Sequence, residues 1–256
     1  MTPKDFRALI TAGEFTKPTA GYCNGYVQAN LVVLDKKYAE DFQKFCEINS
    51  KPCPLIEMVG PKTSMTSFLA ENADICTTIP RYHVWENGIM VKEVTDMSSY
   101  YNEDMFFFLL GCSFSFEESL MDAGISLRHV DQKINVAMYD TNIPLNPVGP
   151  FHGNMVVSMR PIKASQVSDA CCITGNSPIA HGAPVHVGKP ELIGISDLQK
   201  PDYGDPVEIK DDEIPVFWAC GVTPQNALQQ AKLDFAITHA PGCMFVGDIL
   251  NKEYGK

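Results

Sequence analysis

The 256-residue sequence has no C-x-x-C pair, no G-x-S-x-G elbow, no P-loop and no G-x-G-x-x-G fingerprint. Those gaps remove the dithiol, common hydrolase, NTPase and dinucleotide-binding readings. No apolar run exceeds Met105 to Cys112, far short of the roughly 20 residues that span a bilayer, so no membrane partner is expected. The opening Met-Thr-Pro-Lys-Asp-Phe lacks the basic-then-apolar order of a secretory signal, and a cytoplasmic location is expected. Basic residues are scarce as well: 20 Lys+Arg face 31 Asp+Glu, a net charge of −11, and no basic cluster occurs. Phosphate contacts need such a cluster, so nucleic acid is not an expected partner. The nine cysteines are odd in number and lack metal-ligand spacing, even at adjacent Cys171 and Cys172. They are expected to be free thiols, with neither a disulfide nor a structural zinc.

What remains is an ordinary globular composition, 45% hydrophobic and 20% charged, long enough to bury a real core. Thr2, Pro3 and Asp5 predict a helix start, and Gly13 its end. Gly25–Leu34 reads as a strand, and Asp35 as the cap of a helix whose Tyr38, Phe42, Phe45 and Cys46 recur at helical spacing. Pro54–Val59 is a short strand, and Asn87-Gly88 between Val84-Trp85 and Ile89-Met90-Val91 predicts a hairpin with a type I′ turn. Met105–Leu110 is read as an apolar helix, and Ser115 with Glu118 as the capping box of a helix ending at Gly124. Further strands are expected at Met155–Met159, Pro184–Val187, Pro206–Ile209, Val216–Val222 and Phe235–Thr238, with helices after Ser165 and Thr223. The mixture gives an α/β class. The strands from Val216 onward are expected to be central parallel strands sharing a sheet with Val27–Leu34. Residues 1–124 plus 211–256 would then form the main domain and 125–210 a smaller one.

Two segments are polar where loops meet apolar elements, Gly111–Glu117 with Ser113, Ser115 and Glu117 at a helix start and Tyr139–Asn142 before Pro144, and four more suit chemistry. In PVFWACGVTPQNALQQ (Pro215–Gln230) an apolar strand runs into Gly221, and Thr223-Pro224 opens a helix. A helix start at the carboxyl end of a strand offers free N–H groups to an anion, which places Thr223 and Gln225 in a crevice; a plain strand-to-helix turn is the bland alternative. In FAITHAPGCMFVGD (Phe235–Asp248) a rigid turn follows His239. In FHGNMVVSMRP (Phe151–Pro161) Arg160 ends an apolar strand and needs an acid, either a ligand carboxylate or an internal partner such as Glu208 or Asp205. In HGAPVHVG, His181 and His186 lack zinc spacing, but an imidazole suits proton transfer near neutral pH.

GYVQANL, CSFSFE, TNIP, FHGNMVVSMRPI, HGAPVHVG, DPVEI, PVFWACGVTPQ and ITHAPG stand in an order that resembles the hydro-lyases of the D-glutamate cyclase family, from about Gly25 to Asp248. The resemblance implies a mixed-sheet, three-layer α/β domain with a second, smaller two-layer α/β domain. It also implies loss of water from a small carboxylate or amino acid. The activity named for the family is closure of D-glutamate to 5-oxo-D-proline, in relatives that have an additional domain. Such relatives usually read H-A-P-G-H-M-F, whereas Cys243 stands here at the second His. The chemistry asks for a carboxylate clamp, for which Arg160 or Arg128 is available, with Asn142 of TNIP beside Thr223 and Gln225 as substrate contacts. His152, His181, His239 and Glu117 are the acid–base candidates, and Gly221 to Gln225 could supply oxyanion donors. No organic cofactor is expected. A divalent metal held by oxygen ligands such as Asp248 or Glu117 stays open, as does assembly into a homo-oligomer. The alternative is a non-catalytic module that binds a small carboxylate through the same Arg and helix start.

Overall fold

The structure, a computed structural model, describes residues 1–254. Local signals are realised where they depend on near neighbours. Thr2 caps α1 (Pro3–Thr11) by accepting the Asp5 N–H at 3.2 Å. After β1 (Tyr26–Asp35), Asp35 accepts the Lys37 N–H at 3.0 Å and opens α2 (Lys36–Ile48). Next come β2 (Leu55–Val59) and the hairpin of β3 (Tyr82–Glu86) and β4 (Ile89–Val94). Its Asn87 and Gly88 have φ of 52° and 78°, the positive values that a type I′ turn requires.

Met105–Gly111 is a strand, β5, which corrects the helix expected there. A short unbroken apolar run has no period, so neighbours decide its conformation. Here β1 and β2 bond both edges of β5, and its row of phenylalanines suits a pleated surface buried on both sides. Helix α3 (Phe114–Asp122) starts one residue before Ser115, so the expected capping box does not form. The chain continues through α4 (Arg128–Gln132), β6 (Ala137–Pro144), β7 (Asn154–Lys163), α5 (Val167–Gly175), β8 (His186–Val187), β9 (Glu213–Ala219), α6 (Val222–Ala231), β10 (Ala236–His239) and β11 (Phe245–Leu250). Pro206–Ile209 is not a strand; Pro206 has no N–H to give a ladder.

Among the described residues this is an α/β fold with two sheets. One has seven strands in the order β2-β5-β1-β10-β3-β4, with β11 also on β1; the other has four, β6-β7-β9-β8. Every strand pair among the described residues is antiparallel. The parallel arrangement expected for the last strands is therefore corrected. So is their common sheet with β1: β9 lies in the four-stranded sheet, α6 crosses over, and only β10 and β11 join β1. Alternation sorts the faces. Phe217 and Ala219 of β9, with Val157 and Met159 of β7, share a core with Phe108 and Leu110 of β5 and Phe42 and Phe45 of α2. Val216 and Trp218 face the other way, onto Phe116 and Leu120 of α3 and Ala170 of α5. The odd residues of β1 feed a third core through Leu31 and Val33. Among the described residues no helix is long and apolar enough to cross a membrane.

Candidate functional site

On the even face of β1, apolar Val32 and Leu34 give way to Gln28 and Asn30, both buried. Two further strands end near Asn30, and each turns at once into a helix. β5 ends at Gly111 and α3 follows Cys112-Ser113; β9 ends at Ala219 and α6 follows Cys220-Gly221. Neither helix has a side-chain cap on its first N–H groups. Both starts border one cavity of about 50 Å³ together with Asn30, Gln225 and His239. Uncapped N-termini favour negative charge, and the lining holds no Asp or Glu.

Close approach makes the wall possible. Asn30 Nδ2 donates to the Gly111 carbonyl at 2.8 Å. A Cβ on Gly221 would stand 2.2 Å from that same amide nitrogen. On Gly111 it would stand 1.5 Å from the Ile179 carbonyl oxygen. Both positions have room only for glycine.

The Leu31 N–H donates to Nδ1 of His239 at 3.0 Å. The Leu31 carbonyl lies 3.3 Å from the same nitrogen, so Nδ1 either accepts from the Leu31 N–H, with the ring proton on Nε2, or donates to the Leu31 carbonyl. Burial lowers the His239 pKa to about 4, so the imidazole is neutral at physiological pH. The Gln225 amide Nε2 lies 3.4 Å from both ring nitrogens. Thr223, by contrast, faces away. Its Oγ1 accepts from Val156 N–H at 3.0 Å and sits 3.2 Å from the Val156 carbonyl, tying α6 to β7.

Arg160 is 0% exposed and does not line the cavity. Its Nε donates to Glu117 Oε1 at 3.1 Å, Nη1 to Ser158 Oγ at 2.9 Å and Nη2 to Ser113 Oγ at 3.2 Å. Nη2 also contacts Glu117, and the rings of Phe116 and Trp218 lie 5.1 and 5.5 Å from the guanidinium carbon. His129 Nε2 meets Glu117 Oε1 at 3.0 Å. Burial alone would raise the Glu117 carboxyl, but Arg160 and His129 outweigh it and bring its pKa down to about 2. The acid that Arg160 needs is thus Glu117, rather than Glu208 or Asp205.

The other candidates stand apart from this cavity. Arg128 pairs with Glu213 at 2.5 Å and reaches the Glu208 carbonyl at 2.9 Å. His152 and Asn142 are exposed. His181 borders a different depression with Lys51 and Pro178, and bonds the Lys51 carbonyl through Nδ1 at 2.9 Å. Asp248 pairs with Arg7 at 2.9 Å. Cys243 is buried against a core cluster and is not part of the cavity wall, which its neighbours Gly242 and Met244 help to form. Burial raises its thiol pKa despite the adjacent Arg81. Among the described residues no three His, Cys, Asp or Glu side chains converge on a metal position. Sequence reasoning missed Asn30; a lone amide pair, Gln28 and Asn30, at period two in an apolar strand is the signal that could have found it.

Burial lowers both His181 and His239 to about 4. The unfolded chain therefore binds protons that the folded one refuses between pH 6.5 and about 4. Stability should fall as pH drops through that window, by up to about 1.4 kcal/mol per pH unit for each histidine. Urea unfolding at pH 7 and pH 4.5 measures the loss, and His181→Gln/His239→Gln should flatten it. An unchanged pH slope in that variant would mean that other groups set it.

The D-glutamate cyclase family model matches residues 106–248. A Bacillus licheniformis protein named "Putative hydro-lyase" is 51% identical over 255 residues, covering 100% of this chain and 97% of that one. "Putative hydro-lyase YcsI" of Bacillus subtilis is 51% identical, covering 99% of this chain and 98% of its own. A "Putative hydro-lyase" of Rhodopseudomonas palustris is 54% identical, covering 96% and 90%. A nitrogen repressor-like protein from Methanococcus jannaschii superposes with a TM-score of 0.41 at 11% identity over 92% of this chain and 91% of that one, a likeness too loose to argue from.

Proposed function

Because the chain belongs to the D-glutamate cyclase family, we propose that it is a hydro-lyase acting on a small carboxylate or amino acid. Closure of D-glutamate to 5-oxo-D-proline is the reaction that suits its cavity best. One observation supports this above the rest. Two uncapped helix starts, the Gln225 amide and a neutral His239 converge on a space lined by no acid. Such a space favours a carboxylate and, later, an oxyanion.

Ring closure joins the neutral α-amine nitrogen to the carbon of the protonated γ-carboxyl; the nitrogen gives up one proton and the carboxyl its hydroxyl, and the two leave together as water. Both groups belong to one molecule, so holding it folded supplies much of the rate. A cation-hostile setting of helix N-termini, with Arg160 behind Ser113, lowers the pKa of a bound ammonium and frees its lone pair. His239, in the tautomer with its proton on Nε2, and the Gln225 amide would donate to the oxygen as charge develops on it. With a pKa of about 4, His239 acts here as a neutral donor and not as a base.

Size does not argue for the alternative cavity. A space of about 340 Å³ lies on the far side of Phe114, but Glu117, Glu118 and Asp122 line it and would repel a carboxylate. The smaller space, about 50 Å³, holds a carboxylate head, since one water takes roughly 30 Å³ of liquid. The reacting oxygen would lie beside it at His239, with the carbon chain that joins the two groups at the mouth of the space.

Purified protein incubated with D-glutamate, L-glutamate and a panel of small hydroxy acids tests the reading by mass spectrometry. Water loss from D-glutamate is the expected result. Binding without any product would instead make this a carboxylate-binding module.

A further inference from the structure

We propose that the Ser113 hydroxyl is a direct donor to the ligand's carboxylate, and that buried Arg160 is the positioning residue that aims it. The inference rests on the carboxylate reading above.

Ser113 occupies the N-cap position of α3, where a serine ordinarily turns its oxygen onto the helix N–H groups. It does not do so: φ is −61°, ψ is −20°, and no cap bond forms. Its oxygen instead accepts from Arg160 Nη2 at 3.2 Å. The side chain is 5% exposed, and it borders the cavity. With a lone pair held by a cation on the interior side, the hydroxyl hydrogen is directed away from Arg160. The open direction is the cavity.

The rest of the cluster fits that role. Glu117 and Ser158 take three of the five guanidinium N–H groups, and Ser113 accepts a fourth, so the Ser113 oxygen is fixed by the cluster while its hydrogen is not. Glu117, flanked by His129, fixes the guanidinium plane, and Phe116 and Trp218 pack beside it. A hydroxyl polarised by a cation is a stronger donor to an anion than a free one. Arg160 therefore acts on the ligand without touching it.

Titration calorimetry with 5-oxo-D-proline, and with its carboxamide as the neutral counterpart, tests this. Ser113→Ala should weaken 5-oxo-D-proline binding about tenfold or more, the scale of one hydrogen bond to a charged group. Losing the acceptor of one guanidinium N–H should lower its melting temperature by roughly a few degrees with the fold intact, and Ser113→Thr should restore most of the affinity. Arg160→Lys keeps the charge and loses the fork. It should weaken binding in the wild-type background and have no further effect on Ser113→Ala, since coupled residues are non-additive. Wild-type protein that binds 5-oxo-D-proline while Ser113→Ala binds it equally well overturns the inference and leaves the carboxylate reading standing. Equal, additive losses for Arg160→Lys in both backgrounds overturn the positioning role. Wild-type protein that binds neither 5-oxo-D-proline nor D-glutamate removes the carboxylate reading and the inference with it. Should Arg160→Lys not fold, the alanine and threonine variants of Ser113 still decide.

Discussion

Replacing Arg160 with alanine is expected to lower folding stability by about 3–5 kcal/mol, the scale for stranding one partner of a buried ion pair. In a chain of this size that corresponds to a melting temperature roughly 10 °C lower. The cost comes from Glu117, which would be left buried and charged with only His129 beside it. Removing the charges together should cost less, because well-packed apolar groups replace a buried pair almost neutrally. Arg160→Met/Glu117→Leu is therefore expected to be more stable than Arg160→Ala alone. The pH dependence has a definite sign. The folded Glu117 pKa of about 2 lies below its ordinary 4.5, so its contribution is complete above pH 4.5 and drains away as pH falls toward 2. Glu117→Gln should lose that acid-side dependence. A loss below 1 kcal/mol for Arg160→Ala would show that the cluster is solvated and flexible.

His239→Phe is expected to lower turnover about 100-fold or more, the usual effect of deleting one donor to a developing oxyanion. His239→Gln, which keeps an N–H, should lose less. Because burial holds the ring neutral down to about pH 4, the wild-type rate should show no His239 inflection between pH 5 and pH 8. A step near 6.5 that vanishes in His239→Gln would identify a solvated acid–base histidine instead, contrary to the buried geometry.

Which parts of this molecule could be read from its sequence follows from the range of the forces involved. The caps at Thr2 and Asp35 and the Asn87-Gly88 turn are set by residues two or three apart, and the sequence states them directly. Met105–Gly111 is different, since only its pairing with Ala29–Asp35 and Leu55–Val59 makes it a strand. The β9–α6–β10 segment looks like a parallel crossover because its punctuation is local. That α6 carries the chain from one sheet to the other depends on partners more than a hundred residues away, Val32 and Val33 of β1. The same distinction holds at the site. Gln225 follows a helix start and His239 ends a strand, and those marks bring them to the same cavity. Arg160 advertises a need for an acid, but its choice of Glu117 comes from packing α3 onto β7 and β9. Asn30 becomes visible only when β1, β5 and β9 are seen to end around one space, and Ser113, marked in the sequence as polar at a helix start, acquires its partner Arg160 only there.

The central claim is that this space takes the substrate's carboxylate, and a crystal structure with 5-oxo-D-proline bound tests it most directly. The account predicts the carboxylate within hydrogen-bond distance of the Ser113 hydroxyl, at the starts of α3 and α6, with the ring oxygen near His239 Nε2. A ligand seated among Glu117, Glu118 and Asp122, or beside His181 and Lys51, with the cavity between Asn30 and His239 left empty, would contradict it.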